Sequence, residues 1–283
     1  MSLPYLDFSS RILDRYLMFR GFSKRFTHFE FGQMCHIEKR AKNERGVVVI
    51  LHGLGSGYTH FYENIIRFSE LGYSVFAPDL PNHGRSSNLK CKVTFDSFYN
   101  AFAQWVEKIV PTSFNLMGNS LGGAISLRYS LENPQRVSHL VLTSPVGGFE
   151  SELEWAEVKK NVTLYSIKDC MKLMDKSFHK KPLYIPLLYH SHLANMSREG
   201  IYEYLKYSSY QDFVLDVQLF SKLPPSLLIW GKSERLLLKK SFAWFKQHLP
   251  KQVGIEEPQE VGHSPHIEKA EWLVDLSHKF FQK

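Results

Sequence analysis

Short apolar runs alternate along the chain with longer segments in which apolar residues recur at helical spacing. The clearest run, Val47 to Leu51, consists only of valine, isoleucine and leucine. Such a run is typical of a strand in a parallel sheet, because helices cover both faces of that sheet. The predicted strands are 27–31, 34–38, 47–51, 73–77, 113–117, 138–143, 227–230 and 254–257.

Helical periodicity separates most of these strands. The predicted helices between and after them are 58–71, 95–110, 124–131, 239–248 and 268–281. This alternation predicts an α/β fold, with a doubly wound, mostly parallel sheet of eight strands and helices on both faces.

The N-terminal segment 5–26 also has apolar residues at helical spacing, from Leu6 to Phe19, with arginines between them. One interpretation is a helix that packs on the body of the protein. The alternative is an amphipathic helix that adsorbs to a membrane surface. Charged residues interrupt any signal-peptide core in this segment, so we expect a cytoplasmic protein.

Between Gly147 and Leu223 the alternation stops, and the sequence predicts several helices without a strand. We expect residues 148–222 to form a helical cap (lid) on a core made of 1–147 and 223–283.

One predicted cap helix has a single apolar stripe at spacings of four, three and four residues. Its members are Ile167, Met171, Met174 and Phe178. The stripe either packs against other cap helices or roofs an apolar substrate channel. In the second case Met171, Met174 and Phe178 are candidate substrate contacts.

Composition narrows the class of protein. With 43% hydrophobic and 22% charged residues the chain is typical of a soluble globular protein. Its three cysteines are too scattered for a disulfide framework or a zinc site, which favours a reducing compartment. No apolar run approaches the roughly 20 residues of a membrane span. We expect neither a membrane span nor a nucleic acid partner.

The formal net charge of +7 is concentrated in residues 158–198, which hold eight Lys or Arg against two Asp. A basic surface of this kind is either a solvated face or a binding site for an acidic partner.

The segment Phe114 to Ala124, FNLMGNSLGGA, is the strongest chemical signal. It runs from a strand through a glycine-rich turn into a helix, with Ser120 at the sharpest point. A serine in such a turn is exposed above the sheet edge, and Gly118 and Gly122 leave room for it. The N-terminus of the following helix favours a developing oxyanion at the same place. Ser120 is therefore a candidate nucleophile.

Other polar residues follow other predicted strands. His52 comes after the strand 47–51, Glu234 follows the strand that ends near Trp230, and His263 follows the last strand. Because ligands bind beyond the carboxyl ends of parallel strands, we expect these side chains to meet Ser120 at one edge of the sheet.

The order Ser, acid, His resembles that of the α/β-hydrolase superfamily. The blocks that carry the resemblance are VVVILHGLGSG, APDLPNHGRSS, LMGNSLGGA, LLIWGKSE and GHSPHIEKAEWL. The resemblance implies Ser120 as nucleophile, His263 as general base and acid, and Glu234 as the carboxylate that orients the imidazole. It implies the backbone N–H groups of Leu54 and Leu121 as the oxyanion hole.

One position departs from the superfamily pattern, which usually has Asp where this chain has Glu234. His266 is a rival to His263, but one turn into the final helix we expect it at the surface. By resemblance, His52, Asp79, His83 and Arg85 shape loops.

The resemblance implies a serine hydrolase that cleaves a carboxylic ester through an acyl-serine, a carboxylesterase, with no metal or organic cofactor. Three alternatives remain open. The first is a methyl ester esterase of biotin synthesis, whose substrate is a pimeloyl chain on an acidic acyl carrier protein held by the basic cap. The second is a hydrolase of carbon–carbon bonds in ring-cleavage products, and the third is a non-catalytic binding protein on the same fold.

Overall fold

The computed structural model of the protein describes residues 8–283, with side chains from Ser10 onward, so Leu6 of the predicted N-terminal helix lies outside the described residues. Within this range eight strands form one sheet in the order β1-β2-β4-β3-β5-β6-β7-β8. The strands are β1 Ser23–Phe29, β2 Gly32–Lys39, β3 Val47–Leu51, β4 Ser74–Pro78, β5 Phe114–Asn119, β6 Val137–Thr143, β7 Ser226–Ile229 and β8 Gly254–Glu256.

Strands β1, β2 and β4 pair antiparallel, and every pair from β4 through β3 to β8 is parallel. Seven helices accompany the sheet outside the β6–β7 connection, within the described residues. They are α1 Phe8–Phe19, α2 Tyr62–Glu70, α3 Phe95–Ile109, α4 Leu121–Glu132, α9 Lys239–His248, α10 Pro265–Glu268 and α11 Ala270–Phe280. The predicted doubly wound, mostly parallel fold is confirmed.

The sheet separates two hydrophobic clusters. Along β3, Val47, Val49 and Leu51 belong to one cluster, while Val48 and Ile50 belong to the other. All five side chains are buried, because successive residues of a strand point to opposite faces and helices cover both. The first cluster includes residues of α3 and α4, and the second includes residues of α1, α2 and α11.

The N-terminal helix ends earlier than the predicted segment 5–26. It ends at Phe19, and Gly21 follows with a φ of 85°. The N–H of Phe22 donates to the carbonyl of Leu17 at 3.1 Å, and that of Gly21 donates to Met18 at 2.9 Å. This pair of bonds is the glycine stop signal of a helix, so strand β1 begins where the prediction continued the helix. Leu17 is fully buried, which confirms that α1 packs on the body of the protein.

The connection from β6 to β7 is helical, as its sequence pattern predicts. It contains α5 Glu152–Val162, α6 Ile167–Ser177, α7 Tyr189–Met196 and α8 Glu199–Tyr207, with short 3-10 turns between and after them. We call this connection, residues 148–222, the helical insertion. That it is a separate cap domain stays a prediction. No helix among residues 8–283 combines the length and apolar character needed to cross a bilayer.

Candidate active site

Ser120 occupies a strained turn between β5 and α4. Its φ of 55° and ψ of −118° lie outside the conformations that a serine normally adopts. A side chain at Gly122 would overlap the carbonyl oxygens of Leu51 and His52, so only glycine allows α4 to approach β3 this closely. The strain and the close approach together present Ser120, half-buried, at the carboxyl edge of the sheet.

Glu234 and His263 form a buried pair. The Nδ1 atom of His263 lies 2.7 Å from Oε2 of Glu234. The other carboxylate oxygen, Oε1, accepts hydrogen bonds from the N–H groups of Leu236 and Leu237 at 2.8 and 3.1 Å. Glu234 is 9% exposed and His263 is 5% exposed. The carboxylate therefore uses both of its oxygens, and its orientation towards the imidazole is well defined.

Electrostatics keep Glu234 ionised in this pair. Burial opposes the charged carboxylate, but attraction to His263, the hydrogen bond from its ring and the bond from the N–H of Leu237 outweigh that effect. The pKa of Glu234 is consequently lower than the ordinary value of a glutamate. An ionised carboxylate at Nδ1 favours the tautomer of His263 with its proton on Nδ1 and leaves Nε2 as a proton acceptor.

Asn119, directly before Ser120, ties this pair to the nucleophile strand. Its Nδ2 donates to the backbone carbonyl of His263 and to that of Thr143, both at 3.1 Å. The backbone N–H of His263 donates in turn to the carbonyl of Ser177 at 2.9 Å. Sequence reasoning missed Asn119. The signal that could have identified it is an asparagine at the end of an otherwise apolar strand, directly before the candidate nucleophile.

Ser120 and His263 line the same cavity, which has a volume of about 480 Å³. Because Nδ1 of His263 is bonded to Glu234, Nε2 is the nitrogen left for chemistry in this cavity. The helical insertion contributes much of the wall through Val162, Leu173, Met174, Phe178, Leu188 and Met196. Helix α1 adds Ile12 and Leu13. The site is thus mostly apolar, with the polar groups concentrated near Ser120.

Two backbone segments flank Ser120. Leu54 lines the cavity, and a side chain at the neighbouring Gly53 would lie 3.1 Å from Cβ of Ser120. Leu121 is the first residue of α4 and is 2% exposed. The N–H groups of Leu54 and Leu121 therefore belong to the segments beside the nucleophile, and their part as an oxyanion hole stays a prediction.

The polar residues that we expected to shape loops make loop contacts. Nε2 of His52 accepts from the N–H of Leu80 at 2.9 Å, and the Asp79 carboxylate accepts from the N–H groups of Tyr58 and Arg85. Burial raises the pKa of Asp79 to about 7, against the effect of these two bonds. Nδ1 of His83 bonds the carbonyl of Pro81.

The predicted apolar stripe of α6 faces the protein except at Met171. Met174 and Phe178 line the cavity as expected, but Met171 does not and is 43% exposed. The buried face of α6 consists of Cys170, Leu173, Met174 and Ser177. Met171 therefore lies outside the cavity lining, and a contact of its side chain with substrate stays a prediction.

His266 is not at the surface, so that expectation is wrong. Its side chain is 5% exposed and its ring stacks on Phe61, with 4.1 Å between the ring centroids and 10° between the planes. Burial lowers the pKa of His266 far below the ordinary value, and the neighbouring His60 and His263 lower it further. The short helix α10 turns this residue inward, to the wall of the cavity.

Comparison with known proteins agrees with this architecture. A family model for the alpha/beta hydrolase fold matches residues 46–166. Lipase 1 of Psychrobacter immobilis is 28% identical over 247 residues, which cover 81% of this chain and 74% of the lipase. A 2-hydroxy-6-oxononadienedioate/2-hydroxy-6-oxononatrienedioate hydrolase of Pseudomonas sp. is 26% identical over 225 residues, covering 75% of this chain and 79% of that protein.

Other similarities are partial in length or lie in the fold alone. The abhydrolase domain-containing protein abhd-5.2 of Caenorhabditis elegans is 32% identical over 127 residues, but this similarity covers 44% of the chain and 28% of that protein. A solved membrane phospholipase A, a bacterial virulence factor, has a TM-score of 0.81 at 22% identity over 98% of this chain and 92% of that one. Naproxen esterase from Bacillus subtilis has a TM-score of 0.80 at 17% identity over 99% and 100% of the two chains.

Proposed function

We propose that this chain, which has the α/β-hydrolase fold, is a serine hydrolase that cleaves carboxylic esters through a covalent acyl-serine. The observation that carries the proposal is the buried Glu234–His263 pair, which lies at the same cavity as the strained Ser120. The lipase among its relatives and the esterase among structures of the same fold support this class of reaction.

In the proposed reaction Nε2 of His263 takes the proton of Ser120 as its Oγ attacks the ester carbonyl. Glu234 stabilises the imidazolium that forms, and the N–H groups of Leu54 and Leu121 hold the oxyanion. His263 then donates the proton to the leaving alcohol, so that an acyl-serine remains. Water, deprotonated by the same imidazole, attacks the acyl-serine, and the imidazolium returns the proton to Oγ of Ser120 as the bond to the acyl group breaks and the acid leaves.

Glutamate fits the position that is usually aspartate because the turn before it is tight. The N–H of Glu234 donates to the carbonyl of Gly231 at 3.0 Å, and the N–H of Ser233 donates to Val261 at 2.9 Å. The longer side chain then reaches Nδ1 of His263 while its second oxygen caps two backbone N–H groups.

The carbon–carbon hydrolase is the second candidate, since a relative of that name matches most of the chain. The mostly apolar lining of the cavity favours an ester as the substrate over a dioate. A dioate substrate needs cationic partners, and Arg85 is the only Lys or Arg among the described residues that line the cavity. Nε of Arg85 already lies 2.5 Å from the Asp14 carboxylate.

The carrier-protein alternative gains no support from the comparisons. The charges of the lysines that suggested it are partly compensated, because Lys172 lies 3.7 Å from the Asp169 carboxylate and Lys181 pairs with Asp175 at 2.5 Å.

A screen of p-nitrophenyl esters with graded acyl length tests the proposed function, with Ser120→Ala as the blank. We expect hydrolysis by the wild-type protein that the variant lacks, and a preference for medium or long chains because the cavity is apolar. Equal rates for the two proteins would contradict the proposal. A binding-only protein on this fold would give that result.

A further inference from the structure

One wall of the cavity beside Ser120 is apolar, and polar side chains line other parts of it. Helices α5 and α6 present an apolar wall that includes Val162, Leu173 and Met174. Three histidines interrupt the apolar lining elsewhere, and each comes from a different element. His60 lies in the 3-10 turn Tyr58–Phe61, His192 lies in α7 and His266 lies in α10.

Each of these rings has a buried nitrogen atom that hydrogen-bonds to no group of the protein. They are Nδ1 of His60, Nε2 of His192 and Nδ1 of His266. Buried polar atoms are ordinarily hydrogen-bonded, so each unpaired nitrogen needs an explanation. All three belong to side chains that line the cavity, where a bound molecule can supply the missing partner.

The histidines influence one another's protonation. A proton on His60 disfavours protonation of both His192 and His266. Burial is the main effect, and it lowers the pKa of His192 to about 3 and those of His60 and His266 below the ordinary value. All three are therefore neutral at pH 7. Three or more His, Cys, Asp or Glu in a metal-holding arrangement are not found among residues 8–283, so a hydrogen-bonding role is favoured.

A neutral imidazole offers one donor and one acceptor. This pairing matches a hydroxyl group, which also donates and accepts. An anionic group fits less well, since the rings carry no positive charge and the carboxylates of Glu63 and Asp79 also line the cavity. The ligand that satisfies the unpaired nitrogens is therefore uncharged and rich in hydroxyl groups.

We propose that His60, His192 and His266 form a subsite that hydrogen-bonds the free hydroxyl groups of a polyhydric alcohol whose acyl ester is cleaved at Ser120. The apolar wall holds the acyl chain, and the histidine subsite selects esters that keep hydroxyl groups beside the scissile bond. This inference rests on the proposed function, because the subsite acts on a substrate only when Ser120 is a working nucleophile.

Two esters with one acyl chain test the proposal: glycerol 1-monooctanoate and methyl octanoate. We expect the wild-type protein to have a kcat/KM about tenfold or more higher for the glycerol ester, since two added hydrogen bonds of ordinary strength give at least that factor. His192→Leu is expected to lower this ratio about fivefold or more, mainly through KM. His192→Gln, which keeps a donor and an acceptor, should restore most of it.

The matched control is His190→Leu, two positions earlier in α7, where the histidine is exposed and does not line the cavity. It should keep the wild-type ratio. His266→Phe is a second test that retains the stack on Phe61 and removes the unpaired nitrogen. Melting temperatures of all variants exclude loss of fold as the cause.

The outcomes separate the two proposals. Cleavage of both esters at similar rates by the wild-type protein would overturn the subsite and leave ester hydrolysis standing. A preference that survives both His192→Leu and His266→Phe would also overturn it. Cleavage of neither ester, together with no hydrolysis of p-nitrophenyl esters, would overturn the proposed function itself.

Discussion

Replacement of Glu234 by glutamine tests the buried pair with almost no change in shape. The amide can keep its oxygen towards His263, in which case its NH₂ group faces the N–H groups of Leu236 and Leu237. Each of these donors then loses its acceptor, at a cost of about 1–3 kcal/mol. The amide can instead turn its NH₂ group towards Nδ1 of His263.

The second orientation avoids that conflict but selects the wrong imidazole tautomer. Nδ1 must then accept a hydrogen bond, so the proton moves to Nε2, which can no longer take a proton from Ser120. The same change in a serine protease triad lowers turnover about 10⁴-fold. For Glu234→Gln we expect kcat to fall by about 10³- to 10⁴-fold, or ~4–5 kcal/mol at 1.36 kcal/mol per factor of ten.

The assay is steady-state hydrolysis of the best p-nitrophenyl ester, with circular dichroism and urea unfolding as checks of the fold. Glu63→Gln is the matched control, because Glu63 lines the same cavity but its Oε1 accepts from the hydroxyl of Tyr62. The control should retain turnover within a few-fold of wild type. A folded Glu234→Gln protein with turnover within tenfold of wild type would refute the role assigned to this carboxylate.

Three further predictions concern the cavity, the turn and the response to acid. Met174→Trp should lower kcat/KM for long-chain esters about tenfold relative to short-chain ones, because the added rings occupy the cavity, whereas Met171→Trp on the exposed face of α6 should change neither. A uniform loss over all chain lengths would count against this view of the wall. Gly122→Ala should reduce the free energy of unfolding by about 1–3 kcal/mol or more through backbone overlap. Gly254→Ala, whose new Cβ would meet only the end of a leucine side chain at 3.1 Å, should cost less in the same urea titration. His36 is buried, and burial lowers its folded-state pKa to about 4 from the ordinary histidine value of about 6.5. Since the unfolded chain binds its proton first, stability falls as the pH drops from about 6.5 towards 4, by on the order of 2 kcal/mol between pH 7 and 5. His36→Phe should lose less stability over that interval, and equal pH slopes would contradict the assignment.

Much of this fold is visible in local sequence. Val47 to Leu51 was predicted with the bounds that the structure has, because a strand buried on both faces needs apolar residues at every position. The turn at Ser120 could also be predicted from the sequence. The backbone around position 122 leaves no space for a side chain, so the turn requires the glycine that the sequence shows there. Glu234 and His263 could be nominated from their positions after strands, but their 2.7 Å contact depends on the folded sheet.

Features that depend on contacts between distant segments were missed. The stripe predicted for α6 included Met171, which is exposed, because periodicity alone does not say how far the inward face extends around the helix. His266 was expected at the surface because its burial depends on the stack with Phe61, about two hundred positions earlier in the chain. The bond from Asn119 to the carbonyl of His263 likewise joins the end of β5 to the loop after β8, which is far away in sequence.

Labelling with a fluorophosphonate probe tests the central claim most directly, because the probe reacts with a serine only when a base activates it. We predict that mass spectrometry finds the label on Ser120 in the wild-type protein, and that His263→Ala slows labelling by orders of magnitude while the protein stays folded. A folded wild-type protein whose Ser120 remains unlabelled, or labelling that is as fast without His263, would contradict the account.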